Sequence, residues 1–344
     1  MTIKKFADGA GFVAIDLDGA DRSVGIVRQA RKILQGGAQD LARSLTYTFA
    51  SMELPHSGAS AGISAEGDSR DGTVAAFTGE IAELVSSGQF LPNPGKGVSL
   101  EDLGALVDAD PRSPVRNLDR DGVSFSDELA ALSTAVAAER FLDGLEGQRV
   151  AIEGFETNGV ALGREFAVRG ARLVAVQTAA GTVADPEGLD AGELAGAWTA
   201  HGPGMVEHVG PVSDTGAFAV DTDILVPSSK IGCLNHGDAA TVTAGLIAPG
   251  AAIPVTARAL ATLRANDQTV LPDFLTQAGP VWAWEAAGDA TPDDLRSAVT
   301  EGVRALIDAV IDHDDGPFLA ACYRAEAFLG TWQETLPFGR PLAA

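Results

Sequence analysis

The chain has 344 residues, 46% of them apolar, and a formal charge of −23 from 24 basic against 47 acidic side chains. So acidic a chain is repelled by nucleic-acid backbones and by anionic lipid surfaces, and neither is an expected partner. No apolar run approaches the roughly 18 residues of a membrane-spanning helix.

The apolar content excludes a disordered chain, and the length predicts about two domains. Cys233 and Cys322 are far apart, offer no metal-ligand spacing and fit a reducing, cytoplasmic setting. The opening MTIKKFADGAGF lacks the apolar core of a secretory signal.

FVAID (12–16) alternates like a half-buried strand, and apolar residues at helical spacing predict a helix over 38–54. PHSGASAGISAEGD (55–68), rich in glycine and serine, reads as a loop or tight turn that enters a strand only at 62–64. A helix is predicted over 72–87, and LPNPGKGVSLEDLG (91–104) reads as turn, strand and loop. The polar stretch 111–127 reads as a linker. The expected organisation is a first lobe over 1–127, a second over 128–315 and a carboxy-terminal helix within 316–344 that packs back on the first lobe.

A helix over 128–142 leads into VAIEGFETNGVALGREFAVRGARLVAV (150–176). A strand at 150–153 turns at Gly154, a helix runs over 159–169, and Gly170 stops it before a strand at 173–176. This is the layout of a dinucleotide-binding βαβ unit, with Gly154, Glu156 and Gly159 at the three positions of the G-x-G-x-x-G fingerprint. The middle glycine lets backbone approach a pyrophosphate; Glu156 instead sets a carboxylate towards the phosphates, or into the anion site at the helix start as a phosphate mimic. Strands at 224–226, 242–244 and 269–271, with a helix over 255–265, predict a parallel sheet, and helices over 293–311 and 318–332 complete the chain. The predicted fold class is α/β, with two lobes, the second a Rossmann-type doubly wound parallel sheet.

With that unit in place, the sequence resembles the glutamate/leucine/phenylalanine/valine dehydrogenase family. The resemblance is carried by GARLVAVQTAAGTVADPEGLD (170–190), DILVPSS (223–229) and VLPDFLTQAGPV (270–281), in order and spacing. SLTYTFASMELPHSGASAGI (44–63) and LEDLG (100–104) resemble the substrate-lobe motifs, the latter closest to the leucine-dehydrogenase branch.

The resemblance implies oxidative deamination of amino acids with NAD or NADP, a small-molecule ligand in a cleft between the lobes, and a homo-oligomer or a complex with a paralogue. It also implies two lysines, one to hold the substrate carboxylate and one catalytic. This chain has Thr48 and Ser60 at those positions. The acid beside the catalytic lysine falls on Asp102, and the arginine after an early glycine-rich turn corresponds to Arg28. On the cofactor side the ribose-binding group is represented by Gln177 and Thr178. One turn asparagine falls on Ala252 ahead of Pro254, the other becomes Gln277, and Trp284 stands where the family has a small pocket residue.

Deamination requires a low-pKa lysine, a carboxylate that moves protons and a cation for the α-carboxylate. Thr48 and Ser60 supply neither cation, so the expected protein is a pseudoenzyme of the family with weak or absent deamination. The alternative is an active oxidoreductase with altered substrate and chemistry that uses Asp102 and Ser60; a cap or turn role for Asp102 stands beside it.

Gly58-Ala59-Ser60-Ala61-Gly62 also satisfies the G-x-S-x-G serine-hydrolase pattern, with His56 four residues before Ser60. A nucleophile elbow needs a strand before the serine and a helix after it, whereas here a helix is predicted before it. His201, His208, His236 and His313 show no i, i+4 pair, so no metal site is expected. Lys230 reads as a solvated surface residue. Trp282 and Trp284 read either as core aromatics or as cavity lining, on one face of a strand.

Overall fold

The computed structural model describes residues 1–336 and 339–343; Pro337, Phe338 and Ala344, within the 316–344 segment, lie outside the described residues. The chain divides into two compact units, Met1–Arg112 with Cys322–Pro341, and Ser113–Ala321 with Leu342–Ala344. Residues read as linker after Arg112 belong to the second unit, where the Phe125 amide donates to the Leu118 carbonyl at 2.8 Å.

In the first unit β1 (Thr2–Phe6), β2 (Gly11–Ile15), β3 (Ser23–Ala30), β4 (Ser57–Ser64) and β5 (Leu91–Pro94) form one sheet in the order β1-β2-β4-β3-β5. β1, β2 and β4 pair antiparallel, and β4, β3 and β5 pair parallel. Helix α1 (Gln35–Ser51) follows β3 and α2 (Arg70–Ser86) follows β4, with α3 (Leu100–Leu103) and α4 (Ala105–Ala109) after β5. α2 buries Val74, Phe77, Ile81 and Val85, a single stripe at helical spacing, in a cluster with Val13, Ile15, Val27, Ala59, Ala61 and Ile63.

The alternate side chains Phe12 and Ala14 point the other way and pack with Ala38 of α1. β2 is therefore buried along its whole length, not half-buried as its pattern suggests. Asp16, just past its end, is buried in a fork with Arg43, whose Nη2 donates to Oδ1 at 2.7 Å.

The glycine- and serine-rich stretch expected as a loop is instead β4, a buried strand between β2 and β3. Small residues are needed there because α1 lies directly on the strand: the Gly58 amide donates to Thr46 Oγ1 at 2.9 Å.

The second unit opens with a hairpin, β6 (Asp119–Arg120) and β7 (Val123–Ser124), and helix α5 (Phe125–Leu142). Its sheet comprises β8 (Arg149–Glu153), β9 (Arg172–Thr178), β10 (Gly181–Leu189), β11 (Val212–Ser213), β12 (Ile224–Pro227), β13 (Leu246–Ile247) and β14 (Thr269–Val270), in the order β11-β10-β9-β8-β12-β13-β14. From β9 to β14 all neighbours are parallel, and β10 and β11 extend the edge antiparallel. The helices are α6 (Thr157–Ala167), α7 (Ala191–His201), α8 (His236–Ala239), α9 (Ala257–Ala265), α10 (Asp273–Thr276), α11 (Gly279–Trp284) and α12 (Pro292–Asp308); α13 (Pro317–Leu329) runs across the second division of the chain.

Two expectations here are corrected, and one strand is added to them. The strand placed at 242–244 is β13, because Gln268 Nε2 donates to the carbonyls of Val242 at 2.9 Å and Ala244 at 2.8 Å and takes them out of any ladder. β10 runs through the turn-like DPEG sequence with a shift of register between Ala184 and Leu189, and was not anticipated. Trp282 and Trp284 lie on a helix, α11, not on a strand; the Trp282 ring fills the space over Gly302 of α12, where a Cβ would stand 2.2 Å from it.

The protein is thus α/β, with a doubly wound, mainly parallel sheet in its second unit. Among the described residues no helix is long and apolar enough to cross a membrane.

Candidate functional site

In the second unit β8 has β9 on one side and β12 on the other, so the strand order reverses between β8 and β12. Open α/β sheets hold ligands at such a reversal, beyond the carboxyl ends of the strands. Gly154, just past β8, has φ +83° and room for no side chain: a Cβ would lie 2.3 Å from the Ser229 amide nitrogen. The Gly154 and Phe155 amides donate to the Gln177 carbonyl at 3.1 and 2.7 Å, fixing the turn to the end of β9. Gly159 sits in the first turn of α6, close against the Phe155 ring.

Glu156 precedes α6 in extended backbone, φ −115°, so its replacement of glycine carries no strain. Its carboxylate makes no capping hydrogen bond to the first-turn amides. It is therefore not seated as a phosphate mimic at the helix start.

The residues that bridge the reversal are ones the sequence reading missed. Glu153, the last residue of β8, accepts from the Ser228 and Ser229 amides, both at 3.3 Å, and Asn158 Nδ2 donates to Ser228 Oγ at 2.8 Å. The available signal was an acidic residue ending an apolar strand. Burial and then the Glu153 carboxylate push the neighbouring Cys233 thiol up to about 12.

The other cofactor-side candidates are already engaged. Gln177 Oε1 accepts from the Ala217 amide at 2.7 Å, and Thr178 Oγ1 donates to the Pro203 carbonyl at 2.7 Å. Gln277 Nε2 donates to Thr134 Oγ1 at 2.8 Å and to the Pro249 carbonyl at 3.3 Å. Between Ala252 and Pro254, Ile253 takes φ +53°, a left-handed geometry disfavoured for a β-branched residue, and its amide is held by Asp273 Oδ2 at 2.9 Å.

In the first unit Thr48 is buried on α1, with Oγ1 donating to the Ser44 carbonyl at 3.2 Å. Ser60 lies in the middle of β4, 1% exposed, and its Oγ has no partner among the described residues. The strand-turn-helix setting of a hydrolase nucleophile is absent, so the G-x-S-x-G match is coincidental.

Asp102 is the third residue of α3 and forms a capping box with Ser99. Arg70 clasps it bidentately, Nη1 to Oδ1 at 2.8 Å and Nη2 to Oδ2 at 2.7 Å, and the two residues line a surface groove of ≈ 640 Å³ with Gly97, Val98 and Ser99. Hydrogen bonds from Arg70 first, and then from Ser99, hold the Asp102 carboxyl well below the usual carboxylate range. The structure joins Asp102 to Arg70 and Ser99, not to Ser60 or Thr48.

Among the described residues no group of three or more metal-ligating side chains converges. Sequence spacing overlooked one histidine pair: His201 and His208 stack with ring centroids 3.8 Å apart, through the turn after α7. Lys230 is exposed, as expected.

A profile of the Glutamate/Leucine/Phenylalanine/Valine dehydrogenase family matches residues 122–287. A glutamate dehydrogenase of Aeropyrum pernix is 36% identical over 152 residues, which cover 44% of this chain and 36% of that protein. The NAD-specific glutamate dehydrogenase A of Halobacterium salinarum is 24% identical over 327 residues, covering 82% of this chain and 73% of its own. Among solved structures, the hetero-hexameric glutamate dehydrogenase of Thermus thermophilus in its Leu-bound form superposes with a TM-score of 0.79 at 22% identity, over 94% of this chain and 86% of that one. The L-tryptophan dehydrogenase of Nostoc punctiforme gives 0.63 at 19% identity, over 94% and 92%. At these identities the structural likeness speaks for the fold alone, and the matches do not single out the leucine branch. The family's profile thus lies on most of the second unit, residues 122–287, and with relatives aligned along most of its length the chain is similar to the glutamate/leucine/phenylalanine/valine dehydrogenase family.

Proposed function

We propose that this chain is a family member in which NAD(P)-dependent oxidative deamination is weak or absent, and which keeps a role in binding a small ligand or a partner subunit. The observation that carries this reading is the state of Asp102. A carboxylate clasped by Arg70 and held well below its ordinary pKa is a poor proton shuttle near neutrality. The positions where the resemblance implies lysines hold the uncharged Thr48 and Ser60. Loss of one acid-base group costs roughly 10²- to 10⁴-fold in rate.

The relatives named as NAD-specific and NADP-specific enzymes support a nicotinamide cofactor at the β8–β12 reversal, where Gly154 and Gly159 are kept. Glu156, and the engagement of Gln177 and Thr178, argue for weakened affinity there. The hetero-hexameric neighbour supports assembly with a non-identical chain of the same family; a homo-oligomer is the other outcome. A cytoplasmic setting accords with Cys233 and Cys322, which are both buried and, among the described residues, in no disulfide.

The test is a titration with NADH and NADPH, following the fluorescence of Trp198, Trp282 and Trp284, beside a turnover screen of amino acids and 2-oxo acids with ammonium. Absent turnover is expected. Turnover abolished by Asp102→Asn would overturn the reading in favour of an active oxidoreductase with altered chemistry.

A further inference from the structure

Gln268 is 8% exposed, and its amide is held at one end only. Nε2 donates to the carbonyls of Val242 at 2.9 Å and Ala244 at 2.8 Å, whereas Oε1 is shielded and has no partner among the described residues. Both neighbours of Nε2 are acceptors, so the amide cannot be reversed, and Oε1 is the end turned away from them. A buried oxygen left unanswered costs free energy, and native proteins rarely keep one without a donor for it to receive.

Gln268 lines a groove of ≈ 250 Å³ in the second unit, about eight times the roughly 30 Å³ that one water takes up in the liquid. β14 is the last strand in the sheet order, and Asp267 and Gln268 lead into it. The groove therefore lies at the amino end of β14, whereas the reversal between β8 and β12 faces ligands beyond the carboxyl ends. Leu260, Val270 and Phe318 give the groove its apolar surface. Asp267, Asp314 and Asp315 bring three exposed carboxylates against one guanidinium, that of Arg264. Among the described residues Asp267 and Asp314 take part in no ion pair. The carboxyl end of α9 and the amino end of α13 meet here with opposite partial charges, so the side chains set the sign, which is negative. Among the described residues no three metal-ligating side chains converge, so the groove suits an organic cation rather than a bound metal ion.

We propose that this groove binds a primary alkylammonium ion, its N–H groups donating to Gln268 Oε1 and to the carboxylates of Asp267 and Asp314, and its alkyl chain lying on Leu260, Val270 and Phe318. An ammonium head has three donors and no acceptor, which matches an amide oxygen set among carboxylates. The site is separate from the strand reversal and does not rest on the nicotinamide reading.

The experiment is calorimetric titration of the full chain with n-butylammonium in about 0.15 M sodium chloride, where diffuse attraction to an acidic protein is screened. n-Butylammonium binds at one site. Butyltrimethylammonium, equal in charge but without an N–H, binds at least about tenfold more weakly, and methylammonium, which lacks the chain, is also weaker. Because Nε2 also secures Val242 and Ala244, the oxygen is probed from the ligand, and the protein is altered only at exposed carboxylates. Asp267→Asn and Asp314→Asn each lower affinity about threefold, while Glu301→Gln, at an exposed acid of α12 outside the groove, leaves it unchanged. No binding by the wild type up to about 100 mM, equal binding of butyltrimethylammonium, or equal binding by the Asp267→Asn/Asp314→Asn double variant overturns the proposal. An equal loss with Glu301→Gln overturns it as diffuse charge, and displacement of n-butylammonium by an equal concentration of calcium overturns it as a metal site. These readouts need neither turnover nor nicotinamide, so they succeed or fail independently of the deamination assay.

Discussion

The carbonyl oxygen of Ala42 in α1 occupies the space beside Gly58 of β4 where a side chain would begin: a Cβ on Gly58 would stand 2.0 Å from it and 2.5 Å from the Thr46 amide nitrogen. Both obstacles are backbone, so neither can rotate away. Gly58→Ala must push α1 off the strand and break the Thr46 bond to the Gly58 amide. The expected loss is about 2–4 kcal/mol of unfolding free energy, read as a shifted urea midpoint. A change below about 0.5 kcal/mol would show that α1 is free to move.

Arg70 and Asp102 set a pH dependence. The folded-state pKa of Asp102 is depressed, chiefly by hydrogen bonds from Arg70, so its stabilising contribution is present above its unfolded value of about 4 and is lost as pH falls from there through the lower folded value. Both side chains reach solvent, which keeps the contribution small. Arg70→Gln should lower stability slightly above about pH 4 and leave it unchanged at the acid end, so that the acid limb of stability against pH is flatter. Coincident acid limbs for variant and wild type would show that the ion pair contributes nothing measurable.

On the proposed nicotinamide reading, Glu156 takes the fingerprint position where a pyrophosphate needs uncharged backbone. Glu156→Gly should tighten NADH binding by about tenfold, the scale of one nearby like charge at a partly exposed site. Fluorescence titration of the two proteins reads this directly. Unchanged affinity would mean that the carboxylate turns away into solvent and that weak binding has another cause.

Cys233 is buried, with its thiol pushed up to about 12 by burial and by Glu153, and Cys322 is fully buried in α13. Native protein should therefore give almost no fast reaction with Ellman's reagent at pH 8, and unfolded protein should titrate both thiols. Rapid reaction of one native thiol would reveal local opening around β12 or α13.

The local code of this chain carried the elements whose pattern is self-contained. Val74, Phe77, Ile81 and Val85 mark α2 because helical periodicity needs no knowledge of the partner face. Gly154 and Gly170, with positive φ at the turns of the βαβ unit, mark β8, α6 and β9 because only a residue without a Cβ fits comfortably there. The resemblance to the family followed from such stretches, and with it the expectation of lysines at the positions that Thr48 and Ser60 hold.

Tertiary contacts decided the rest. Glycine and serine in β4 read as a loop until α1 is laid on the strand, since the reason for small residues is a neighbour distant in sequence. The tryptophans of α11 and the strand after Ala244 were misplaced for the same reason, as Gly302 and Gln268 supply what fixes them. The state of Asp102 depends on Arg70, and that of the Gln268 amide oxygen depends on which donors fail to reach it. Sequence names the groups that can donate, accept or carry charge. Which of them are answered is settled only when distant segments are brought within the roughly 3 Å over which a hydrogen bond acts.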